Sequence, residues 1–180
     1  SITQPAGLTA DITKATPVIT WNNPSAITYG TALSATQLNA TASTAGTFNY
    51  TPESGTMLNA GVSQILSVNF VPTDAVNYDN VSNTQVQITV NKATPVVTWN
   101  NPSEITYGTA LGATQLNAAA NTAGTFTYTP ASGTILNAGV NQTLSVDFAP
   151  TDAVNYDVVS NTQVQITVNK ANQTITFSSL

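Results

Sequence analysis

One segment of the chain occurs twice, and this repeat constrains the fold more than any other feature of the sequence. Lys14, Lys92 and Lys170 are spaced 78 residues apart, and residues 14–91 align with residues 92–169 without a gap. The two copies are identical at 65 of 78 positions. Because copies this similar must fold alike, the chain is predicted to consist of two complete domains of one type.

The two ends of the chain lie outside these copies. Residues 170–180 follow the pattern that opens each copy, with Phe177 at the position of Trp99, and are predicted to form the first strand of a further repeat. Residues 1–13 align poorly with the residues that precede Lys92. They are therefore either the end of a preceding unit or a linker.

Composition excludes most catalytic chemistries. The chain has three Lys and Arg residues, eight Asp and Glu residues and no histidine, for a net charge of −5, and it has no cysteine. Nucleophile triads built on imidazole, thiolate nucleophiles and zinc sites of His or Cys are therefore ruled out. Three cations cannot neutralise a run of phosphates, so nucleic acid is not an expected partner. We expect a protein that is not an enzyme.

Neutral polar residues take the place of charge. Threonine and asparagine make up 52 of 180 residues, whereas only 6% of residues are charged. No apolar run approaches the length of about 20 residues that spans a bilayer, so no membrane insertion is expected in this segment. The composition favours an extracellular or bacterial cell-surface setting, and we expect a monomer.

Apolar and polar residues alternate along each copy, which predicts β-strands. In residues 84–90 (TQVQITV), Val86, Ile88 and Val90 fall on one face. Further strands are predicted at residues 17–21, 26–30, 36–40, 46–52 and 65–71. Clusters of Asn, Pro, Gly and Ser separate them and are typical of turns. Six to seven short strands per copy predict an all-β chain of two-sheet sandwiches.

Two prolines limit how the first strand can pair. Pro17 and Pro95 lie in the first predicted strand of their copies. A proline has no N–H to donate to a ladder, so each is predicted to confine that strand to a sheet edge. An edge position would limit the exchange of strands between copies of such similar sequence.

Aromatic residues supply the expected core. Trp21 and Trp99 are predicted to close one end of each sandwich, because small domains need large side chains to bury. Tyr78 and Tyr156 end an Asp-x-x-x-Tyr segment before the last strand, which matches the tyrosine corner of immunoglobulin-like sandwiches. In that motif the tyrosine hydroxyl bonds back to the loop backbone.

Three segments together carry a family likeness: KATPVITWNNPSAITYGTAL, GTFNYTPESGTMLNAG, and PTDAVNY followed by TQVQITVNKA. They resemble the bacterial immunoglobulin-like repeats of the MBG type. The resemblance covers both copies and the start of the third. It implies tandem immunoglobulin-like β-sandwiches in a large secreted or cell-surface, adhesin-like protein, with no catalytic residues.

The Asp-Ala-Val-Asn-Tyr loops also offer oxygen ligands of the kind that calcium prefers. The candidate ligands are Asp74, Asn77, Asp79, Asp152, Asn155 and Asp157. Two carboxylates per loop without a bidentate glutamate fall short of the about six to eight oxygens that calcium needs. A turn with a tyrosine corner is therefore the favoured interpretation, and no cofactor is required.

Two further groups of residues could be functional sites instead of having only structural roles. The single lysine of each copy invites a crosslink to Asn or Asp, but an exposed amine stays protonated and non-nucleophilic. The other alternative is that four aromatic residues form a platform for sugars. Packing of these residues in the core is the favoured interpretation. The candidate residues are Trp21, Tyr29, Trp99 and Tyr107.

A carboxylate pair for glycoside hydrolysis is the one enzymatic alternative. Glu53 and Glu104 are its candidates. Neither recurs in the other copy, where Ala131 and Ala26 take the equivalent positions. The repeat therefore gives this alternative no support.

The repeat predicts a mechanical role. Residues 91–95 (NKATP) join the copies and are too short and too proline-stiffened to act as a free hinge. We expect a non-enzymatic spacer or stalk segment of a long bacterial surface or secreted protein, a rigid rod of immunoglobulin-like beads that contact adjacent repeats. The alternative is a module that binds carbohydrate or a cell-surface protein weakly, multiplied by copy number. The 13 differences between the copies are scattered along the sequence, which favours the spacer.

Overall fold

The computed structural model describes residues 11–177, and all regular structure within them is β-sheet. The chain divides into two compact units between Asn91 and Lys92. The predicted all-β class, with sheets arranged as in a sandwich, is confirmed. Within residues 11–177 there is no helix long and apolar enough to cross a membrane.

The described part of unit 1 contains six strands, within the predicted six to seven. They are β1 (Ile19–Thr20), β2 (Ile27–Thr28), β3 (Thr41–Ala42), β4 (Gly46–Thr51), β5 (Gly61–Pro72) and β6 (Val81–Asn91). The larger sheet has the order β2-β6-β5-β4, in which β2 and β6 are parallel and the other neighbours antiparallel. Strands β1 and β3 form a separate antiparallel pair.

Unit 2 repeats this arrangement strand for strand. Its strands are β7 (Val97–Thr98), β8 (Ile105–Thr106), β9 (Ala119–Ala120), β10 (Gly124–Thr129), β11 (Gly139–Pro150) and β12 (Val159–Asn169). The four-stranded sheet has the order β8-β12-β11-β10, and β7 pairs with β9. The register is also repeated, since Gly46 opposite Pro72 in unit 1 becomes Gly124 opposite Pro150 in unit 2.

The core of unit 1 lies on one face of the long hairpin formed by β5 and β6. Leu66, Val68 and Phe70 alternate along β5 and are at most 1% exposed. The inward residues of β6 are Val86, Ile88 and Val90. Leu33 and Leu38, from the segment between β2 and β3, belong to the same buried cluster. The alternation predicted from the sequence for these two strands is confirmed.

Phe70 requires a glycine on the neighbouring strand. A Cβ atom at Gly46 would lie 2.4 Å from Cζ of Phe70. Because Phe70 is 1% exposed in a close-packed interior, its ring has no space into which it could move. Gly124 and Phe148 stand in the same relation in unit 2. The glycine thus lets β4 approach β5 over the largest core side chain.

A bulge in β6 is held by a side chain of β5. Asn83 has a positive φ of 58°, and its N–H donates to Oδ1 of Asn69 at 2.8 Å. In unit 2 the acceptor is Oδ1 of Asp147, at 2.7 Å from the N atom of Asn161. Asparagine and aspartate present the same acceptor atom here, so this difference between the units leaves the bulge intact.

Residues 34–38 form a turn and residues 39–40 are in no strand, so the strand predicted at residues 36–40 is wrong. The N–H groups of Gln37 and Leu38 both donate to the carbonyl oxygen of Ser34, at 3.0 and 2.9 Å. Gln37 and Leu38 are both buried. Successive side chains of a strand point to opposite faces, so two buried neighbours fit a turn better than an edge strand.

The other predicted strands are present with changed bounds. Those predicted at 17–21 and 26–30 shorten to the two residues of β1 and β2, and those at 65–71 and 84–90 lengthen into β5 and β6. Pro17 and Pro95 stand two residues before β1 and β7, outside the paired residues. Both prolines are buried.

Residues 170–177 have no regular structure, and the assignment of residues 170–180 to the first strand of a further repeat stays a prediction. A strand needs a hydrogen-bonded partner, and the corresponding segments of units 1 and 2 are held by β3 and β9. Residues 1–10 and 178–180 lie outside the described residues, so the interpretation of 1–13 rests on the sequence alone.

The positions at which the units differ avoid the core. None of the 13 is buried in either unit. Four of them in unit 1 share the exposed face of β4 and β5, namely Asn49, Ile65, Asn69 and Val71. Asn49 and Asn69 are direct cross-strand partners. Differences that look scattered along the sequence are therefore partly gathered on one sheet face.

We predict that Leu66→Ala destabilises unit 1 by about 2–5 kcal/mol, because it removes buried methyl groups and leaves a cavity. Ile65→Thr is the matched control, since Ile65 is 48% exposed and unit 2 already has Thr143 there. The control should stay within about 0.5 kcal/mol of the parent. Urea unfolding followed by tryptophan fluorescence should show a separate, earlier transition for Leu66→Ala only. One unshifted transition would contradict this core.

We also predict that Asp147→Ala destabilises unit 2 by about 1 kcal/mol, because the N–H of Asn161 loses its acceptor. Asp147→Asn restores the chemistry of unit 1 and should match the parent protein. Thermal unfolding of the three proteins checks this. Equal midpoints for the alanine and asparagine variants would mean that the acceptor does not hold the bulge.

Candidate functional site: the groove beside Trp21

Trp21 follows β1 and packs against the core cluster of unit 1. Its Nε1–H donates to the carbonyl oxygen of Gln37 at 3.0 Å. Its ring meets the ring of Tyr50 edge-on, with centroids 5.3 Å apart and planes at 68°. The residue is half-buried, so its position is fixed while part of it stays accessible. Trp99 repeats both contacts in unit 2.

The turn at residues 34–38 holds the acceptor for Trp21. The side chain of Gln37 is 7% exposed, and its Oε1 accepts from N and Oγ of Ser34, each at 3.1 Å. A buried amide must have such partners to be stable, and these fix the turn. In unit 2 Gly112 takes the place of Ser34 and keeps the backbone bond, at 3.1 Å.

The loop between β1 and β2 is tied to the last strand by an asparagine. Oδ1 of Asn23 accepts from the N–H of Gln87, at 2.9 Å. Asn101 makes the same bond with Gln165 in unit 2, at 3.0 Å. In each unit the asparagine thereby satisfies a backbone N–H of the last strand, β6 or β12. That strand pairs with the short strand β2 or β8 over only two residues. These bonds set the position of the Asn-Asn-Pro-Ser loop.

This loop, Trp21 and the turn at residues 34–38 border a groove. Its volume is about 630 Å³. The residues that line it include Trp21, Asn22, Ser25, Asn39 and Thr41, and none of them is ionisable. We name it the Trp21 groove. It offers an aromatic ring together with neutral donors and acceptors.

The equivalent groove of unit 2, the Trp99 groove, is smaller. Its volume is about 350 Å³, and its lining includes Trp99, Asn100, Ser103, Asn117 and Ala119. Ala119 occupies the position of Thr41, so one hydroxyl is missing. The two units thus present the same site in two sizes.

The aromatic platform weighed from the sequence has a different composition in the structure. Tyr107 is 50% exposed and lines another groove of unit 2, of about 450 Å³, together with Asn137 and Lys170. Trp99 and Tyr107 therefore line different grooves. In unit 1, the residues that line the Trp21 groove do not include Tyr29.

The hydroxyl of Tyr50 bonds to the backbone, a role that the sequence analysis did not find. It accepts from the N–H of Ala40 at 2.9 Å. Burial raises the pKa of Tyr50, and the bond from Ala40 opposes this in part. The inward face that Tyr50 shares with Phe48 was the available signal, since an inward tyrosine needs a polar partner. For Tyr78 and Tyr156 the tyrosine corner stays a prediction.

Asp74 closes the loop between β5 and β6 upon itself. Its Oδ1 accepts from the N–H groups of Val76 and Asn77, each at 3.1 Å, and its Oδ2 accepts from Nδ2 of Asn77 at 2.8 Å. The bond from the Asn77 side chain, with those from the backbone, lowers the pKa of Asp74 below 3.8. Asp152 and Asn155 repeat the side-chain bond at 2.8 Å.

These bonds use the oxygens that a calcium ion would need. Asp79 and Asp157 come after the tyrosine, and their N–H groups donate to the carbonyl oxygens of Ala15 and Ala93. In the part of the chain that the structure describes, no three acidic residues come close enough together to hold an ion. The loop is thus arranged as a self-capped turn.

The remaining charged candidates are exposed. Nζ of Lys92 donates to the backbone carbonyl of Ala153 at 2.7 Å, which is not a group that forms an amide crosslink. Glu53 lies in the turn after β4, and Glu104 lies directly before β8. Each is exposed in its own unit.

No family model matches this chain, and no curated protein matches it either. Function is therefore argued from the residues and their geometry. The resemblance to repeats of the MBG type stays an interpretation of the sequence.

The lowered pKa of Asp74 predicts that the folded protein loses stability in acid. Because its pKa is lower than 3.8 in the folded chain, the unfolded chain binds the proton more tightly. The contribution to stability is present above about pH 3.8 and is lost as pH falls through the folded value. The thermal midpoint of the parent protein should therefore fall in acid. The Asp74→Asn variant should have a lower midpoint than the parent at neutral pH, and its midpoint should fall less in acid.

Measuring the same pH profile with calcium and with EDTA separates loop closure from metal binding. Equal profiles are expected, because the carboxylate already accepts three N–H donors. A midpoint that rises with calcium in the parent protein but not in Asp74→Asn would contradict the self-capped loop.

Proposed function

We propose that this chain is a non-enzymatic spacer segment, a rod of immunoglobulin-like units of the MBG type within a long bacterial surface or secreted protein. One observation carries the proposal. The last residue of β6 is Asn91, and Ala93 is already bridged to Tyr156 in unit 2. A single residue, Lys92, therefore lies between the last strand of unit 1 and the first bridged residue of unit 2, and this short connection supports the proposal.

The path of the chain through unit 1 supports a spacer. Ala15 bridges to Tyr78 in the loop that connects β5 to β6, so the chain enters at that end of the hairpin. It leaves through Asn91, at the far end of β6. Entry and exit thus lie at opposite ends of the hairpin within unit 1, as a spacer would require.

The long hairpin sets that length. Strand β6 contains 11 residues, which corresponds to about 36 Å at a rise of about 3.3 Å per residue. The identical register of β11 and β12 gives unit 2 the same length. Extension then increases in proportion to the number of repeats, which is what a spacer requires.

Composition supports the location and the lack of catalysis in this proposal. A chain rich in Thr and Asn, with 6% charged residues, obtains its polar surface from neutral groups. Its Lys and acidic side chains, as described above, are exposed or used in turns. We accordingly propose an extracellular setting, adjacent repeats as the main partners, and a monomeric state.

The second candidate function is a weak, multivalent binding module. The grouping of Asn49, Ile65, Asn69 and Val71 on one exposed sheet face favours it, because a recognition surface changes more readily than a core. Carbohydrate and cell-surface proteins are the ligands proposed for such a module.

Small-angle X-ray scattering tests the spacer. For units joined through Lys92 alone, we expect a narrow distance distribution and a maximum dimension of about 70–80 Å, from two units of about 36 Å. A variant with a ten-residue Gly/Ser insertion between Asn91 and Lys92 is the control and should give a broader distribution. A parent distribution as broad as that of the control would contradict the rigid spacer.

A further inference from the structure

The lining of the Trp21 groove selects for a neutral ligand. Asn22, Ser25 and Thr36 are exposed along it, and Asn39 and Thr41 add further amide and hydroxyl groups. None of the described residues that line the groove is ionisable. Such groups donate and accept hydrogen bonds but cannot compensate a buried charge. They match a ligand that carries many hydroxyl groups and no charge.

The groove is also held in shape before any ligand arrives. Trp21 is fixed by Gln37 and Tyr50, as described above. Nδ2 of Asn39 donates to the carbonyl oxygen of Thr36 at 3.1 Å, which orients the carboxamide. Oγ1 of Thr41 donates to the carbonyl oxygen of Thr20 at 3.4 Å. A site whose side chains are already ordered loses less conformational entropy on binding.

Size and aromatic character narrow the ligand class. A volume of about 630 Å³ lies within the range of about 300–1,000 Å³ typical of small-molecule sites. Indole combines a broad apolar surface with a polar edge, and here the edge is engaged by Gln37. A sugar ring presents a C–H surface to such an aromatic and hydroxyl groups to the surrounding amides and hydroxyls.

The Trp99 groove is a natural comparison within the same chain. It has about half the volume and lacks the hydroxyl that Thr41 provides. Unit 2 also has Glu104 where unit 1 has Ala26, which lines the Trp21 groove. The smaller volume and the missing hydroxyl weaken the match to a neutral, hydroxylated ligand, whereas Glu104 is not among the residues that line the Trp99 groove.

We propose that the Trp21 groove binds a neutral saccharide of one or two sugar rings, and that the Trp99 groove binds the same ligand more weakly. This inference goes beyond the spacer function and does not depend on it; it gives the second candidate function a site and a ligand class. A spacer whose units also bind sugars, and a flexible chain that binds them, are both compatible with it.

The two tryptophans make the test direct. The chain contains two Trp residues, so the indole region of a ¹H–¹⁵N spectrum contains one Nε1–H peak for each groove. Maltose, cellobiose, lactose and diacetylchitobiose are titrated to about 20 mM, a range that detects millimolar dissociation constants. Glycerol serves as the control for non-specific polyol effects. Trp99→Phe assigns the peaks, because one of the two is then absent. This variant is used for assignment only, since Trp99, like Trp21, packs against the core of its unit.

The expected result is a saturable shift of the Trp21 peak with at least one disaccharide, at lower concentration than for the Trp99 peak. Thr41→Ala should weaken binding by about three- to tenfold, the loss of one hydrogen bond. Ala119→Thr should strengthen the response of Trp99. The proposal would be overturned if no sugar shifted the Trp21 peak further than glycerol does. It would also be overturned if both peaks responded equally and Thr41→Ala left the response unchanged.

Discussion

Each unit depends on the packing of one face of its long hairpin. Strands β1, β2 and β3 have two residues each, too few to be stable by themselves. They persist because Leu33 and Leu38, from the segment that joins them, are buried against Leu66 and Ile88 of the hairpin. The positions of the loops around Trp21 thus depend on this core, and so does the groove that they border.

The hairpin could be predicted from the sequence, whereas the groove could not. Alternation with a period of two is a local signal, and it located β4, β5 and β6 correctly. Gln37 and Leu38 produced the same local signal and form a turn, because the buried amide of Gln37 is satisfied by Ser34 rather than by a strand partner. The groove depends on the bond between Asn23 and Gln87, 64 residues apart, which no local pattern contains. Trp21 was identified from the sequence, but the residues that complete its site were not.

The differences between the units show which properties the fold needs. Ser43 in unit 1 and Asn121 in unit 2 both accept a hydrogen bond from the backbone N–H of the residue after the buried proline. Asn69 and Asp147 likewise provide one oxygen for a bulge. What is kept is an acceptor atom at a given place rather than a residue type. Buried apolar positions, where volume and shape count, show no differences at all.

This division between core and surface would let one scaffold carry both of the functions proposed above. The length of a unit is set by the hairpin and its core, which the thirteen differences leave unchanged. Thr41 and Ala119 line the grooves from exposed strand positions, so the exchange of one for the other has no cost in core packing. Repeats of equal length can therefore differ in affinity. If neighbouring grooves engage one polymeric ligand, weak sites in series raise avidity by about 10²–10⁴ without any new contact. A repetitive chain with few charged residues would then gain recognition from copy number, and its proposed role as a spacer would be unaffected.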